Sequence, residues 1–431
     1  MLKGGMSSFD GRRVLLLQGP LGPFFRRLAV DLERAGAKVF KVNFNGGDWF
    51  FYPRSAFNFR GGLDAWPEYF EGLLEQLDVD LVMLFGDCRP LHRIAHAIAG
   101  RRGIEIGVFE EGYVRPDHIT LEMHGVNAHS RIPRSPVFYM NASVPRLPEQ
   151  LPVGNTFWYV ACWAILYYLA AALLKPVFPA YRHHRPLSCF TEGLKWVRSA
   201  FRKPFFRMRE HGLLDRLTTE YSGRFFLVPL QTHNDAQIHV HSGFGGVDGF
   251  IEQVMTSFAR KAPEGRILVF KHHPLDRGYS DYTDLIRRHA AALGLKGRCL
   301  YIHDQHLPTL LDHALGVVVV NSTVGLSALL HGAPVKVCGD ALYDIEGLTF
   351  QRPLDEFWHA AGEHRPNPRL FRRFYDYLVL NTQLNGSFYK RLPIVGSATG
   401  LQWRARVDAS ASSGADESSR RVARLGDGSA P

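Results

Sequence analysis

The stretch "RRVLLLQGPLGPFFRRLAVDLERAGAKVFKVNFN" (residues 12–45) decides how the chain is read. An apolar run from Val14 to Leu17 meets a Gly/Pro-rich turn, then an amphipathic helical pattern, then a second apolar run. That order predicts strand, turn, helix and strand. It continues through "VDLVMLFGD" (79–87), a helical pattern reaching Ile98, and "GIEIGVFEEGY" (103–113). Short apolar runs separated by helical patterns of about ten to fifteen residues predict a parallel, doubly wound α/β sheet.

The same alternation returns later in the chain. "RFFLVPLQ" (224–231), "RILVFKHHP" (266–274), "CLYIHD" (299–304), "GVVVVN" (316–321) and "PVKVCG" (334–339) read as strands. Helical patterns lie between them at 247–261, 282–294, about 307–315 and 323–330. Two α/β domains of like build predict a ligand cleft between their strand C-terminal ends. The expected division is a first Rossmann-like domain over 12–150 and a hydrophobic and basic helical linker over 151–220. A second Rossmann-like domain follows over 221–360, then helices over 361–403 that pack back on the first. Residues 404–431, rich in Ser, Ala, Gly and Arg without apolar periodicity, read as a disordered tail.

Composition narrows the function classes. The five cysteines are scattered without a CxxC pair. This argues against a disulfide framework and a zinc site and fits a reducing compartment. The apolar run near the N-terminus is too short for a signal peptide, so a cytoplasmic protein is expected. A net charge of +10 and a pI near 9.4 favour anionic partners. Residues 150–174 carry no charge, and residues 182–209 hold eight Lys or Arg against the single acid Glu192. The uncharged stretch is long enough to span a bilayer. A span would, however, put the two domains on opposite sides of the membrane and divide any shared site. An interfacial helical insertion is the favoured reading, its aromatics at headgroup level and the basic run on anionic lipid. An internal helix without lipid contact is the alternative. Nucleic acid is set aside, because the basic run lacks interleaved base-stacking aromatics.

Polar clusters follow the apolar strands, where open α/β sheets place their ligands. In "QGPLGPFF" (18–25), Gly19 and Gly22 allow close backbone approach to an anion or sugar, or simply a tight turn. In "FEEGYVRPD" (109–117), Glu110 and Glu111 are adjacent carboxylates, a pair that burial suits to proton transfer. Arg115 suits a substrate carboxylate; an acidic helix start is the plainer alternative. In "FKHHPLDRGY" (270–279), Lys271, His272, His273 and Arg277 predict a phosphate site, with a structural role open for one histidine. In "VVVVNSTVGLSALL" (317–330), Ser322 and Thr323 offer hydroxyls, beside the Asn321 amide, for an anion or a helix cap. The loop "VPLQTHNDAQIHVHS" (228–242) adds Gln231, His233, Asn234 and Asp235. The histidines there are read as structural rather than as metal ligands.

These motifs carry a resemblance. "LLQGPLGPFFRRLA", "KVNFNGGDWFFYP", "FEEGYVRPDHITLE", "PLQTHNDAQI", "KHHPLDRGY" and "NSTVGLSALLHGAPVKV" stand in the order and spacing of the KpsS/LipB-type capsule polysaccharide proteins, over about residues 13–390. The resemblance implies a GT-B-like fold and a retaining transferase that moves Kdo (3-deoxy-D-manno-oct-2-ulosonic acid) from CMP-β-Kdo to lysophosphatidylglycerol. That step would start a capsule linker at the cytoplasmic face of the inner membrane. It further implies Asp235 as nucleophile, with Gln231 and Asn234 positioning it or the sugar. Glu111, or its neighbour Glu110, would assist proton transfer. Lys271, His273, Ser322 and Thr323 would hold the CMP phosphate, with His272 and Asn321 beside them. No metal or other cofactor is implied. Expected partners are a KpsC-type transferase and the capsule ABC exporter. Two alternatives stand beside this reading: a related transferase for another CMP-activated acid sugar or acceptor, and a non-catalytic export or scaffold protein.

Overall fold

The computed structural model describes residues 4–183, 189–233 and 243–406. The loop residues Asn234 and Asp235, together with His239 and His241, therefore lie outside the described residues, as does the tail from 407 onward.

The first sheet comprises β1 (Arg13–Leu16), β2 (Lys38–Asn43), β3 (Phe57–Asn58), β4 (Leu81–Phe85), β5 (Glu105–Glu111), β6 (His118–Met123) and β12 (Gln383–Asn385). Its order is β12-β6-β5-β4-β1-β2-β3. The β3-to-β5 portion is parallel, whereas at the edge β6 pairs antiparallel with β5 and β12 pairs antiparallel with β6. The second sheet is formed by β7 (Phe225–Pro229), β8 (Ile267–Lys271), β9 (Cys299–Ile302), β10 (Gly316–Val319) and β11 (Val335–Val337). It is all parallel, in the order β11-β10-β7-β8-β9. In both sheets the first strand is central and the chain reverses direction beside it, at β1/β4 and β7/β10. Those are the topological switch points where doubly wound folds bind ligands. The two-domain, GT-B-like α/β class expected from the sequence is the architecture observed.

Both faces of the parallel strands are buried, which is why they read as continuous apolar runs rather than as alternating ones. Leu15, Leu17, Val82, Leu84, Ile106 and Val108 pack on one face with Trp66 and Phe70. Val14, Leu16, Met83 and Phe109 pack on the other with Phe24 and Phe388. Within the region expected to hold helices, residues 361–403, the long helix is Pro368–Thr382. It does cross back to the first domain, but the chain then turns into β12 and pairs with β6. Arg373 on this helix donates to the carbonyls of Tyr139, Met140 and Ala142 at 3.3, 2.5 and 3.2 Å. Tyr113, Ile132 and Tyr139 from the first domain join a single apolar cluster with Leu326, Tyr343 and Phe374. An Arg134–Asp340 ion pair of 2.5 Å also crosses between the domains.

Among the described residues no helix is long and apolar enough to cross a membrane. The uncharged segment forms the 17-residue helix Phe157–Leu173. Its buried stripe is Ala161, Ala164, Tyr167 and Ala170, at the three-residue spacing of one helix face. The stripe lies on the short helix Gly46–Phe51 of the first domain. A Cβ on Gly47 would meet the Tyr167 ring at 2.6 Å, and one on Gly46 would run into the Ala170 carbonyl. The two glycines are what let these helices touch. The opposite face, including Trp158, Ile165, Leu169 and Leu173, is exposed.

Candidate active site

At the switch point of the second sheet, Gln231 follows β7 and Asn321 follows β10. The buried Gln231 Nε2 donates to Asn321 Oδ1 at 3.1 Å, so these two residues of the expected site do come together. Ser322 Oγ accepts from the Val324 N–H at 3.3 Å, one residue ahead of the helix N-cap Thr323. The Tyr343 hydroxyl donates to the Ser322 carbonyl, in space that exists because residue 325 is glycine. Asn321, Thr323 and Asp340–Tyr343 then line a crevice whose far wall is Tyr113 and Asn127 of the first domain. His233 Nδ1 binds Asp276 Oδ1 at 2.5 Å, and its ring stacks on Tyr279.

The "KHHPLDRGY" cluster departs from the open phosphate site expected of it. Lys271 is buried and donates to the His303 carbonyl at 3.1 Å; burial holds its pKa below the ordinary range. His272 Nδ1 meets the Tyr301 hydroxyl at 2.6 Å, and burial, helped by nearby His303, pushes its pKa down to about 4. Arg277 pairs with Asp304 and reaches Ser199. His273 accepts from the Leu275 N–H at 3.2 Å. The reason is the basic helix Cys189–Arg209, which lies across this loop with its Lys195 carbonyl against Gly278. Arg202 of that helix donates to the carbonyls of Arg277 and Ser280 and pairs with Asp281. The cluster therefore seats the helix, with His273 alone among its Lys and His residues still partly exposed.

The first domain supplies the carboxylates. Glu110 and Glu111 end β5, so the strand pleat sends them to opposite faces. Glu111 Oε1 accepts the Tyr389 hydroxyl at 2.8 Å. Glu110 Oε1 accepts the Glu111 N–H at 3.0 Å. Burial, opposed by that hydrogen bond and reinforced by the Glu111 charge, raises Glu110 to about 7. Arg115 Nε turns back to the Gly112 carbonyl at 3.1 Å. The space beside the two early glycines is taken by protein: a Cβ on Gly19 would meet the Phe25 ring at 2.8 Å and one on Gly22 the Trp163 ring at 2.9 Å.

Sequence reasoning passed over "FGDCRP" (85–90), although it follows an apolar strand as the other clusters do. Arg89 Nη1 donates to Gln18 Oε1 at 2.8 Å. Gln18 Nε2 points to the Tyr167 and Tyr181 hydroxyls, both at 3.0 Å, and to the Asp48 carboxylate. Asp87 takes the Val126 N–H at 3.2 Å and His129 Nδ1 at 3.0 Å. Asp87, Cys88 and His129 place one donor atom each within 4.8 Å of one another. Burial pushes the Cys88 thiol up to about 12, whereas a metal-binding cysteine is a thiolate.

Comparison with known proteins agrees with this assembly of motifs. Residues 80–389 match the family described as capsule polysaccharide biosynthesis protein. The chain is 43% identical over 389 residues to the capsule polysaccharide export protein KpsS of Escherichia coli, covering 88% of this chain and 97% of that one. It is 41% identical over 392 residues to the capsule polysaccharide modification protein LipB of Neisseria meningitidis serogroup B, covering 89% and 93%. Among solved structures it is similar to Thermosulfurimonas dismutans KpsC, a beta Kdo 2,7 transferase, with 14% identity, coverage of 95% and 99%, and a TM-score of 0.41. The chain belongs to the capsule polysaccharide biosynthesis protein family.

Proposed function

We propose that this protein is a retaining glycosyltransferase that moves Kdo from CMP-β-Kdo to lysophosphatidylglycerol, opening the linker of a lipid-anchored capsular polysaccharide. The observation that carries the reading is Glu110, a carboxyl raised to about 7 at a strand end whose following loop, through Tyr113, faces Asn321 and Thr323 across the interdomain crevice. A proton acceptor poised near neutral pH is what an incoming hydroxyl requires. Retention is reached by a front-face route or by two displacements, and the carboxylate of Asp235 favours the second. The Asp235 carboxylate attacks the anomeric carbon as its bond to the CMP phosphate oxygen breaks, and CMP leaves with the bonding pair. The acceptor hydroxyl then attacks the same carbon, Glu110 takes its proton, and the bond to Asp235 breaks to restore the carboxylate. Both steps pass through oxocarbenium-like states that carboxylates stabilise. Gln231, Asn321 and Thr323 are assigned to the donor. Glu110 is preferred to Glu111, whose carboxylate is held by Tyr389.

The lipid acceptor fits two exposed apolar faces. Trp158 and Leu173 are 77% and 70% exposed on one helix, and Phe201 and Met208 are 74% exposed on the other. Arg198, Lys203 and Arg207 accompany the second face. Apolar stripes flanked by cations suit peripheral attachment to anionic lipid, here the cytoplasmic face of the inner membrane. A KpsC-type transferase would then extend the linker before export. The test is incubation of purified protein with CMP-Kdo or CMP-sialic acid and a fluorescent lysophosphatidylglycerol, followed by product mass. A Kdo adduct is expected from wild type and none from Asp235→Asn. No transfer from CMP-Kdo overturns the reading, and transfer from CMP-sialic acid alone moves it to another acid sugar.

A further inference from the structure

The first sheet has its own switch point, and the groups there are not explained by donor binding. We infer that Arg89, at the end of β4, is the binding site for the phosphate of the acceptor headgroup, set beside the residue that deprotonates the acceptor. The inference rests on the transferase reading for the identity of the acceptor, and on geometry for the site.

Four observations support it. Arg89 is partly exposed, and only its Nη1 has protein partners, the Gln18 side chain and the Gly19 carbonyl, among the described residues. The remaining guanidinium N–H groups are available to an anion, which a planar fork binds in bidentate fashion. Its orientation is imposed from behind: Asp48 only accepts hydrogen bonds, so the Gln18 amide nitrogen must face it and the Gln18 oxygen must face Arg89. The Phe85 ring lies 5.1 Å from the guanidinium carbon, a cation–π contact that steadies the plane. Finally, Glu110 Oε2 and Arg89 Nε lie 3.6 and 3.8 Å from the point where a Cβ on Gly86 would sit. Cation and carboxyl thus stand side by side at Gly86 without forming an ion pair. A glycerol phosphate fits this pairing, phosphate on Arg89 and hydroxyl toward Glu110.

The same network connects Arg89 to the helix Phe157–Leu173. Gln18 is bonded to Tyr167 at 3.0 Å, and Tyr167 belongs to the buried stripe of the helix whose other face presents Trp158, Ile165 and Leu169 to the outside. Gln18, Tyr167 and the helix itself therefore stand between Arg89 and the exposed apolar surface. CMP also carries a phosphate, so donor and acceptor must be distinguished by experiment.

The experiment is calorimetric titration of a short-chain, water-soluble lysophosphatidylglycerol and, separately, of CMP into wild type, Arg89→Gln and Arg89→Lys. Loss of a charged, bidentate contact predicts lysolipid binding weakened about tenfold or more in Arg89→Gln. A smaller loss is expected in Arg89→Lys, with CMP affinity within about twofold of wild type in both. Unchanged melting temperature serves as the folding control, and the lysine variant keeps the test alive if the glutamine variant is unstable. Equal lysolipid affinity in wild type and Arg89→Gln, loss of CMP binding instead, or no lysolipid binding by wild type would each overturn the inference. Failure of Kdo transfer with Arg89-dependent lysolipid binding intact would sink the transferase reading and leave the site standing.

Discussion

Replacing Glu110 with Gln should make the protein more stable at alkaline pH while removing its activity. Burial lifts this carboxyl from its ordinary 4.5 to about 7. Tenfold in proton affinity corresponds to about 1.4 kcal/mol, so ionising Glu110 in the folded chain forfeits about 3 kcal/mol. The unfolded chain ionises the group near its ordinary value. Its contribution is therefore full below about pH 4.5 and is lost as pH rises through about 7. Glutamine cannot ionise, and its amide oxygen can keep the Glu111 N–H bond. Urea unfolding of the first domain should show Glu110→Gln more stable by about 3 kcal/mol at pH 8 and by less than about 1 kcal/mol at pH 5. Glu122, also raised to about 7 by burial, stays in both proteins and leaves a common slope. Transfer by wild type should rise with pH through about 7 and fall by about 10² or more in the variant. A stability difference independent of pH, or transfer that survives in Glu110→Gln, would refute the assignment.

Two more expectations concern the helices Phe157–Leu173 and Cys189–Arg209. Gly47→Val places carbon against the Tyr167 ring, only 2.6 Å from the Cβ position. It should destabilise the first domain by about 1–3 kcal/mol, the usual range for overpacking, read by thermal melting and by earlier proteolysis of the linker. Trp158→Glu with Phe201→Glu alters side chains that are 77% and 74% exposed. The melting temperature should hold within experimental error, whereas co-flotation with phosphatidylglycerol vesicles should fall at least fivefold, about 1 kcal/mol. Flotation equal to wild type would remove the lipid assignment.

Much of the architecture is written in local pattern. Every strand buried on both faces announces itself as an apolar run, so β1, β4, β5, β7, β8 and β10 were all legible. β6 and β12 were not. "HITLEM" carries the alternation of a strand but no continuous apolar run, the pattern by which the others are read, and "QLN" is too short to signal; the two pair with the edge of β5 and with each other. Position past a strand end likewise pointed to Glu110, Gln231 and Asn321. It also pointed to Lys271 and His272, whose environment depends on the helix Cys189–Arg209, sixty or more residues away from them in sequence terms.

What the sequence alone determined is therefore the α/β class, the two like domains, the family, and the polar clusters at the strand ends. These depend on periodicity and on motif identity, both properties of neighbouring residues. Only the tertiary structure decided which polar groups are spent internally and which are offered outward. It turned Gly22 into a seat for Trp163, Gly47 into one for Tyr167, and the cationic loop at 271–277 into a buried seam. It set Arg89 beside Glu110 and held the two glutamates on opposite faces of one strand. The physical reason is that desolvation and hydrogen-bond satisfaction depend on partners brought from distant parts of the chain, and those partners decide whether a charged side chain is consumed by the fold or remains for a ligand.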